Sequence, residues 1–169
     1  VPSVPRSISE PLLTNDSNIN GTLAVLESCR LNSVKKVVFA ASSSAYGDTE
    51  VLPKDTKMKP SPLSPYAVQK LAGEMYCKTY FDNFGLRTTA LRYFNVYGPY
   101  QDPNSEYSAV IPIFIRKALA NEPITIFGDG TTSRDFTFIE DVIQANLRAA
   151  ISTKSDGLVV NVAYGDRFT

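Results

Sequence analysis

Val37-Val38-Phe39-Ala40-Ala41 is an apolar run with no polar residue in it. A strand with one wet face alternates apolar and polar side chains. A continuous run belongs to a strand buried on both faces, as in a parallel sheet covered by helices. The pattern around it agrees. Leu86 to Tyr93 and Leu158 to Ala163 read as further strands, with shorter extended pieces at Ile124-Thr125-Ile126-Phe127 and Phe136 to Ile139. Helical periodicity fills the intervals at about 12–31, 65–83, 112–121 and 140–151. Alternating strands and helices predict an α/β fold. Val1 to Pro11, with three prolines and three serines, reads as a loop. Asp48 to Ser64 and Asn95 to Ser108 read as longer connections. Gly21 falls inside the first helix, where it costs about 1 kcal/mol against alanine. Close packing or approach to a ligand could offset that.

The chemistry collects where strands end. Ser42-Ser43-Ser44 follows directly on the apolar run, at the edge where open α/β sheets bind ligands. Ser64 is a fitting N-cap and Pro65 suits the first helical position, so a helix opens there and Gly85 stops it. That helix carries Tyr66 and Lys70 at i and i+4, on one face. An ammonium beside a phenol favours the phenolate and lowers its pKa from about 10. A hydroxyl at the strand end could hold a substrate oxygen and relay its proton to Tyr66. The spacing alone is weak, since about 0.5 such Tyr/Lys pairs arise by chance. A surface pair on an amphipathic helix and a serine-rich turn would look the same. Arg92-Tyr93-Phe94-Asn95 ends a later strand with an aromatic and an amide. Arg134 follows Gly128-Asp129-Gly130 and either forks onto a diphosphate or pairs with Asp135 or Asp129.

Composition removes other classes. Lys+Arg 17 balances Asp+Glu 17, without the basic excess expected of a nucleic-acid binder. No apolar run reaches the roughly 18 residues of a membrane span, and no signal-peptide pattern opens the chain. Histidine is absent, which excludes His-based triads and most zinc sites. Cys29 and Cys77 read as reduced, buried thiols of a cytoplasmic protein.

Six segments in order carry a resemblance: Ser7–Pro11, Asn18–Thr22, Ser42–Gly47, Pro65–Lys70, Arg92–Pro99 and Gly128 through Phe136. Together they resemble the extended short-chain dehydrogenases/reductases, the NAD-dependent epimerase/dehydratase family, and within it the UDP-glucose and UDP-N-acetylglucosamine 4-epimerases. The resemblance implies a Rossmann-like parallel sheet flanked by helices plus part of a small C-terminal substrate domain. Residues 1–95 would be the later part of the NAD-binding domain. Residues 96–169 would be a mixed region, mostly substrate domain with returning Rossmann elements. It also implies NAD as cofactor, a UDP-sugar substrate and a homodimer packed through the Leu12 and Pro65 helices. Tyr66, Lys70 and Ser42 would be catalytic. Asn18, Ala40 and Phe94, with Tyr66 and Lys70, would lie against the cofactor. Ser42, Ser43, Ser44, Asn95, Val110, Phe127 and Arg134 would hold the sugar nucleotide.

Two departures shape the expectation. Dehydratases of the family carry an acidic pair after the strand-end hydroxyl, and UDP-glucuronate decarboxylases usually a glutamate at the Ser44 position. Serines stand at both positions here, which favours epimerisation and leaves a UDP-glucuronate 4-epimerase open. The family's Gly-rich loop and the acidic residue for the adenosine ribose are absent, and Ala109 replaces a frequent asparagine. The chain starts at Val1 and stops after a strand-like run, so it reads as truncated at both ends.

Overall fold

Three parallel strands, β1 (Lys36–Ser42), β2 (Arg87–Tyr93) and β5 (Leu158–Val162), lie side by side in the order β1-β2-β5. The computed structural model describes residues 1–102, 110–126 and 128–169. Lys36 pairs with Arg87 and Ser42 with Tyr93, and Tyr93 in turn with Val162. All three carboxyl ends therefore reach the same edge. Helix α4 (Pro65–Phe84) makes the crossover from β1 to β2. A second pair of parallel strands, β3 (Asn95–Tyr97) and β4 (Phe136–Phe138), continues from β2 and leads into α6 (Ile139–Ile151).

The two faces of the sheet are read from alternate residues. Val37 and Phe39 pack against a cluster of Leu26, Cys77, Tyr80 and Leu86. Val38 and Tyr93 pack on the other face with Leu91, Val142, Ala149 and Val162. Helices thus cover both sides, as the apolar run requires. Its burial is less complete than expected. Lys36 to Phe39 are half-buried and Ala40 is exposed, because β1 is an edge strand of the described sheet.

Helix α4 is set as its sequence dictates. Ser64 Oγ accepts from Ala67 N–H at 3.2 Å, Pro65 is the first helical residue, and Gly85 closes the helix in the left-handed conformation. Gly73 is where it presses closest on the sheet, since a Cβ there would fall 2.3 Å from Phe39 Cζ.

Three expectations are corrected. Residues before Leu12 are helical: α1 (Val4–Ser9) is capped by Ser3, and α2 (Pro11–Asn15) follows. Pro5 and Pro11 occupy first-turn positions, where a missing N–H is not needed, so they start helices rather than mark a loop. A single π turn (Asp16–Asn20) then leads into α3 (Gly21–Leu31). A Cβ on Gly21 would meet nothing nearer than 3.8 Å, so close packing does not explain that glycine. Residues 122–126 form no strand; Ile124 and Ile126 are exposed and lack a partner among the described residues. Helix α5 (Val110–Leu119) begins before Pro112. Phe127 and Ala109 lie outside the described residues. Among the described residues no helix is long and apolar enough to cross a membrane.

Candidate active site

The carboxyl end of β1 and the amino end of α4 meet at the shared sheet edge. Ser42 caps a 3-10 turn (Ser43–Tyr46), and its Oγ accepts from Ser44 N–H at 3.2 Å and from the Ser44 hydroxyl at 2.8 Å. Gly47 ends the turn at φ +65°. A Cβ on it would sit 1.9 Å from Ser61 O, so the loop after β1 crosses the serine turn only over glycine.

Tyr66 lies in the first turn of α4, where backbone N–H groups have no helical acceptor. Its N–H donates to Ser7 Oγ at 3.0 Å, and the fully buried Ser7 hydroxyl donates in turn to Val4 O at 2.7 Å. Helix α1 therefore fixes the tyrosine's backbone. The phenol is half-buried, and desolvation raises its pKa above the ordinary value while a hydrogen bond with Ser42 pulls it back in part. The net direction is opposite to the one expected from the Tyr/Lys pairing. Lys70 explains why. Its Nζ donates to Ala40 O at 2.8 Å, lies 5.9 Å from the Tyr66 ring centroid, and is itself desolvated, which lowers its pKa. One acceptor leaves an ammonium with two further donors. A cation bound over the phenol would oppose the upward shift.

The other expected residues divide. Phe94 and Asn95 follow β2 directly at the same edge. Phe94 is half-buried, with its ring 6.3 Å from that of Tyr46. Asn95 donates from its backbone and its side chain to Asp135 O, at 3.2 and 3.0 Å. Asn18 is buried in the π turn, where its Nδ2 donates to Gln69 Oε1 at 2.7 Å, one residue before Lys70. Val110 opens α5 and is exposed. Arg134 is exposed and pairs with neither acid proposed for it. Asp135 accepts from Tyr164 and Gly165 N–H, Asp129 accepts from Thr131, and among the described residues Arg134 Nη1 donates to Ser133 O. No hydrogen bond joins Val110 or Arg134 to the Tyr66–Ser42 pair among the described residues.

Sequence reasoning missed a buried ion pair behind this edge. Arg92 donates to both oxygens of Glu74, Nε at 2.9 Å and Nη2 at 2.7 Å, and each residue is only 3% exposed. The guanidinium carbon lies 4.7 Å from the Tyr46 ring centroid, and Tyr46 OH donates to Asn161 Oδ1 at 2.6 Å. The pair thus ties α4 to β2 and to the serine turn. The signal was present: Glu74 repeats the i, i+4 step from Lys70, and a charge inside an apolar strand needs a partner.

The residues fit the nicotinamide-ribose end of NAD, because Lys70 has spare donors beside an exposed strand end at Ala40 and a phenol at Tyr66. No described segment supplies a Gly-rich pyrophosphate seat.

Comparisons place this geometry. A putative UDP-glucose 4-epimerase of Methanocaldococcus jannaschii is 43% identical over 164 residues, covering 96% of this chain and 52% of the relative. The structure of a UDP-N-acetylglucosamine 4-epimerase from Methanobrevibacter ruminantium in complex with UDP-N-acetylmuramic acid superposes with a TM-score of 0.96 at 44% identity, covering 100% of this chain and 54% of that one. A UDP-glucuronic acid 4-epimerase from Bacillus cereus, in complex with UDP-glucuronic acid and NAD, superposes with a TM-score of 0.86 at 36% identity, covering 99% and 52%. The chain spans about half the length of these relatives. Residues 1–163 match the NAD dependent epimerase/dehydratase family as a whole, and the strand-end serines facing a Tyr/Lys helix occur here within that match. The chain belongs to the NAD dependent epimerase/dehydratase family.

Proposed function

We propose that the full-length protein interconverts UDP-hexoses at C4, as UDP-glucose with UDP-galactose or their N-acetyl analogues, with NAD as a resident cofactor. The convergence of Tyr66, Ser42 and Lys70 on one sheet edge carries this reading. Tyr66 takes the proton of the sugar 4-hydroxyl, directly or through Ser42, and returns it after the ring has turned. NAD bound there would supply reversible hydride acceptance at the sugar C4. Lys70 holds the nicotinamide ribose with its two remaining donors. Asn18, Ala40 and Phe94 complete the cofactor side. Asn95 and Arg134, whose guanidinium has no acidic partner among the described residues, hold the nucleotide with Val110 and Phe127. With Ser43 and Ser44 where a dehydratase places acids, no carboxylate follows Ser42 to promote loss of water.

Residues 1–95 are read as the later part of the cofactor domain, and 96–169 as mainly the substrate domain. Leu12, Leu13, Val68 and Met75 expose apolar side chains on α2 and α4. They support a homodimer packed through those helices. The test is turnover of UDP-galactose by full-length Tyr66→Phe. Loss of about a hundredfold or more is expected for removal of the general acid–base group, and near-normal turnover sinks the mechanism. The Bacillus cereus relative favours one second reading, epimerisation of UDP-glucuronate, and assaying both sugar nucleotides separates the two. Calorimetry that finds UDP bound but never NAD would point instead to a sugar-nucleotide-binding module.

A further inference from the structure

Helices α1 and α2 and the π turn each bury one side chain, and in each it is polar: Ser7, Thr14 and Asn18. All three reach across to α4. Ser7 Oγ takes the Tyr66 N–H, and the other two meet at a single side chain, Gln69, which is 3% exposed. Gln69 Oε1 accepts from Asn18 Nδ2 at 2.7 Å, and its Nε2 donates to Thr14 Oγ1 at 3.1 Å. Backbone groups at both ends fix these directions. Val1 N only donates, and it faces Asn18 Oδ1, which leaves Nδ2 for Val1 O, at 3.1 Å, and for Gln69. At the other end the Thr14 hydroxyl lies 3.1 and 3.2 Å from Glu10 O and Pro11 O, which only accept. Its proton goes to them, so it accepts from Gln69.

We infer that Gln69 is a positioning residue for cofactor binding, whose amide sets the angle at which α4 presents Lys70. Apolar contact is non-directional and lets helices turn against each other, whereas a buried amide between two fixed partners is satisfied in one position. Gln69 and Lys70 are consecutive and so about 100° apart around the helix. Turning α4 away from Thr14 and Asn18 would carry Lys70 Nζ off Ala40 O, its acceptor at 2.8 Å. Asn18 belongs to the same device. Both its amide protons are taken, by Val1 O and Gln69 Oε1, so it holds the cofactor side in place rather than donating to a ligand. This inference rests on the reading of Lys70 as the residue that holds the nicotinamide ribose.

The test is calorimetry of NAD and of UDP, separately, on cofactor-stripped full-length parent, Gln69→Leu, Thr14→Val and the double variant. Gln69→Leu removes both hydrogen bonds at similar volume and is expected to weaken NAD binding about tenfold. Thr14→Val keeps the shape, removes one of the two, and acts from a residue that is 0% exposed. It is expected to weaken NAD binding about threefold. The double variant is no weaker than Gln69→Leu, because the Thr14 contact is already lost there. UDP binding is unchanged in every variant. Equal weakening of NAD and UDP would show a general loosening of the fold and overturns the inference. Parent-like NAD affinity in Gln69→Leu also overturns it, and Thr14→Val decides in the same way where Gln69→Leu fails to fold. A parent that binds UDP but no NAD brings down the cofactor reading and this inference with it. A parent that binds NAD no better than Gln69→Leu does brings down this inference only.

Discussion

Removing Glu74 should cost more stability than any exposed charge in the chain. Glu74 and Arg92 are each 3% exposed and joined by two hydrogen bonds of 2.9 and 2.7 Å. At an effective dielectric of about 20, opposite charges some 4 Å apart attract by about 4 kcal/mol. Burying the two ions has already cost several kcal/mol each, so the pair as a whole is near neutral. Breaking it is not. Glu74→Ala leaves a guanidinium in the interior without its carboxylate, against the Tyr46 ring 4.7 Å from its carbon. The expected loss is about 3–5 kcal/mol. Glu74→Leu combined with Arg92→Met removes both charges and refills most of the volume, so the double variant should be more stable than either single one. Urea unfolding of the full-length parent, Glu74→Leu, Arg92→Met and the double variant closes the cycle, with Glu74→Ala measured beside them. A cost below about 1 kcal/mol for Glu74→Ala, the range of an exposed pair, would refute the reasoning. So would a double variant whose loss equals the sum of the singles.

Gly47→Ala should lower the urea midpoint and the activity together. It forces a side chain to φ +65° and places its Cβ 1.9 Å from the Ser61 carbonyl oxygen, displacing the loop that covers the serine turn. An unchanged midpoint would show that the loop moves aside freely. At the opposite edge of the sheet Asp156 pairs with Lys36 and Arg87, both at 2.6 Å, and the Lys36 contact first, then Arg87, hold its carboxyl below the usual range against desolvation. A depressed folded pKa stabilises above the unfolded value of about 3.9 and ceases to as pH falls through the folded one. Asp156→Asn should therefore be less stable than the parent at pH 7, and the gap should narrow steadily below pH 4. A gap independent of pH would mean that Asp156 stabilises by packing alone.

How much of the fold is legible in the residues follows from the range of each force. The sheet is, because helices packed on both faces remove polar residues from consecutive positions, as in Val37–Ala41, even though that strand is only partly buried. Helix α4 is, because Ser64, Pro65 and Gly85 are local instructions at its two ends. The prolines before Leu12 mislead because the same residue opens a helix or a turn. Ser3 Oγ caps the helix that Pro5 opens, but Pro11 opens its helix with no side-chain cap, so a local cap does not separate the two uses.

The site divides along the same line. Tyr66, Lys70 and Ser42 can be named because helix period and strand ends fix where they come. What they do to each other cannot. The i, i+4 step suggests an ammonium lowering the phenol's pKa, yet Lys70 spends one donor on Ala40 O and both groups lose solvent. Ser7, 59 residues before Tyr66, supplies the oxygen that its backbone N–H needs, and no local pattern announces that. Arg92 and Glu74 differ again. An arginine in an otherwise buried strand demands a carboxylate, and the Lys70 stripe on α4 offers Glu74 one turn on. Pairwise demands of that kind, a buried charge seeking its opposite, can be read from the residues alone, whereas the partner of a serine oxygen such as that of Ser7 is set only when the helices around it have packed.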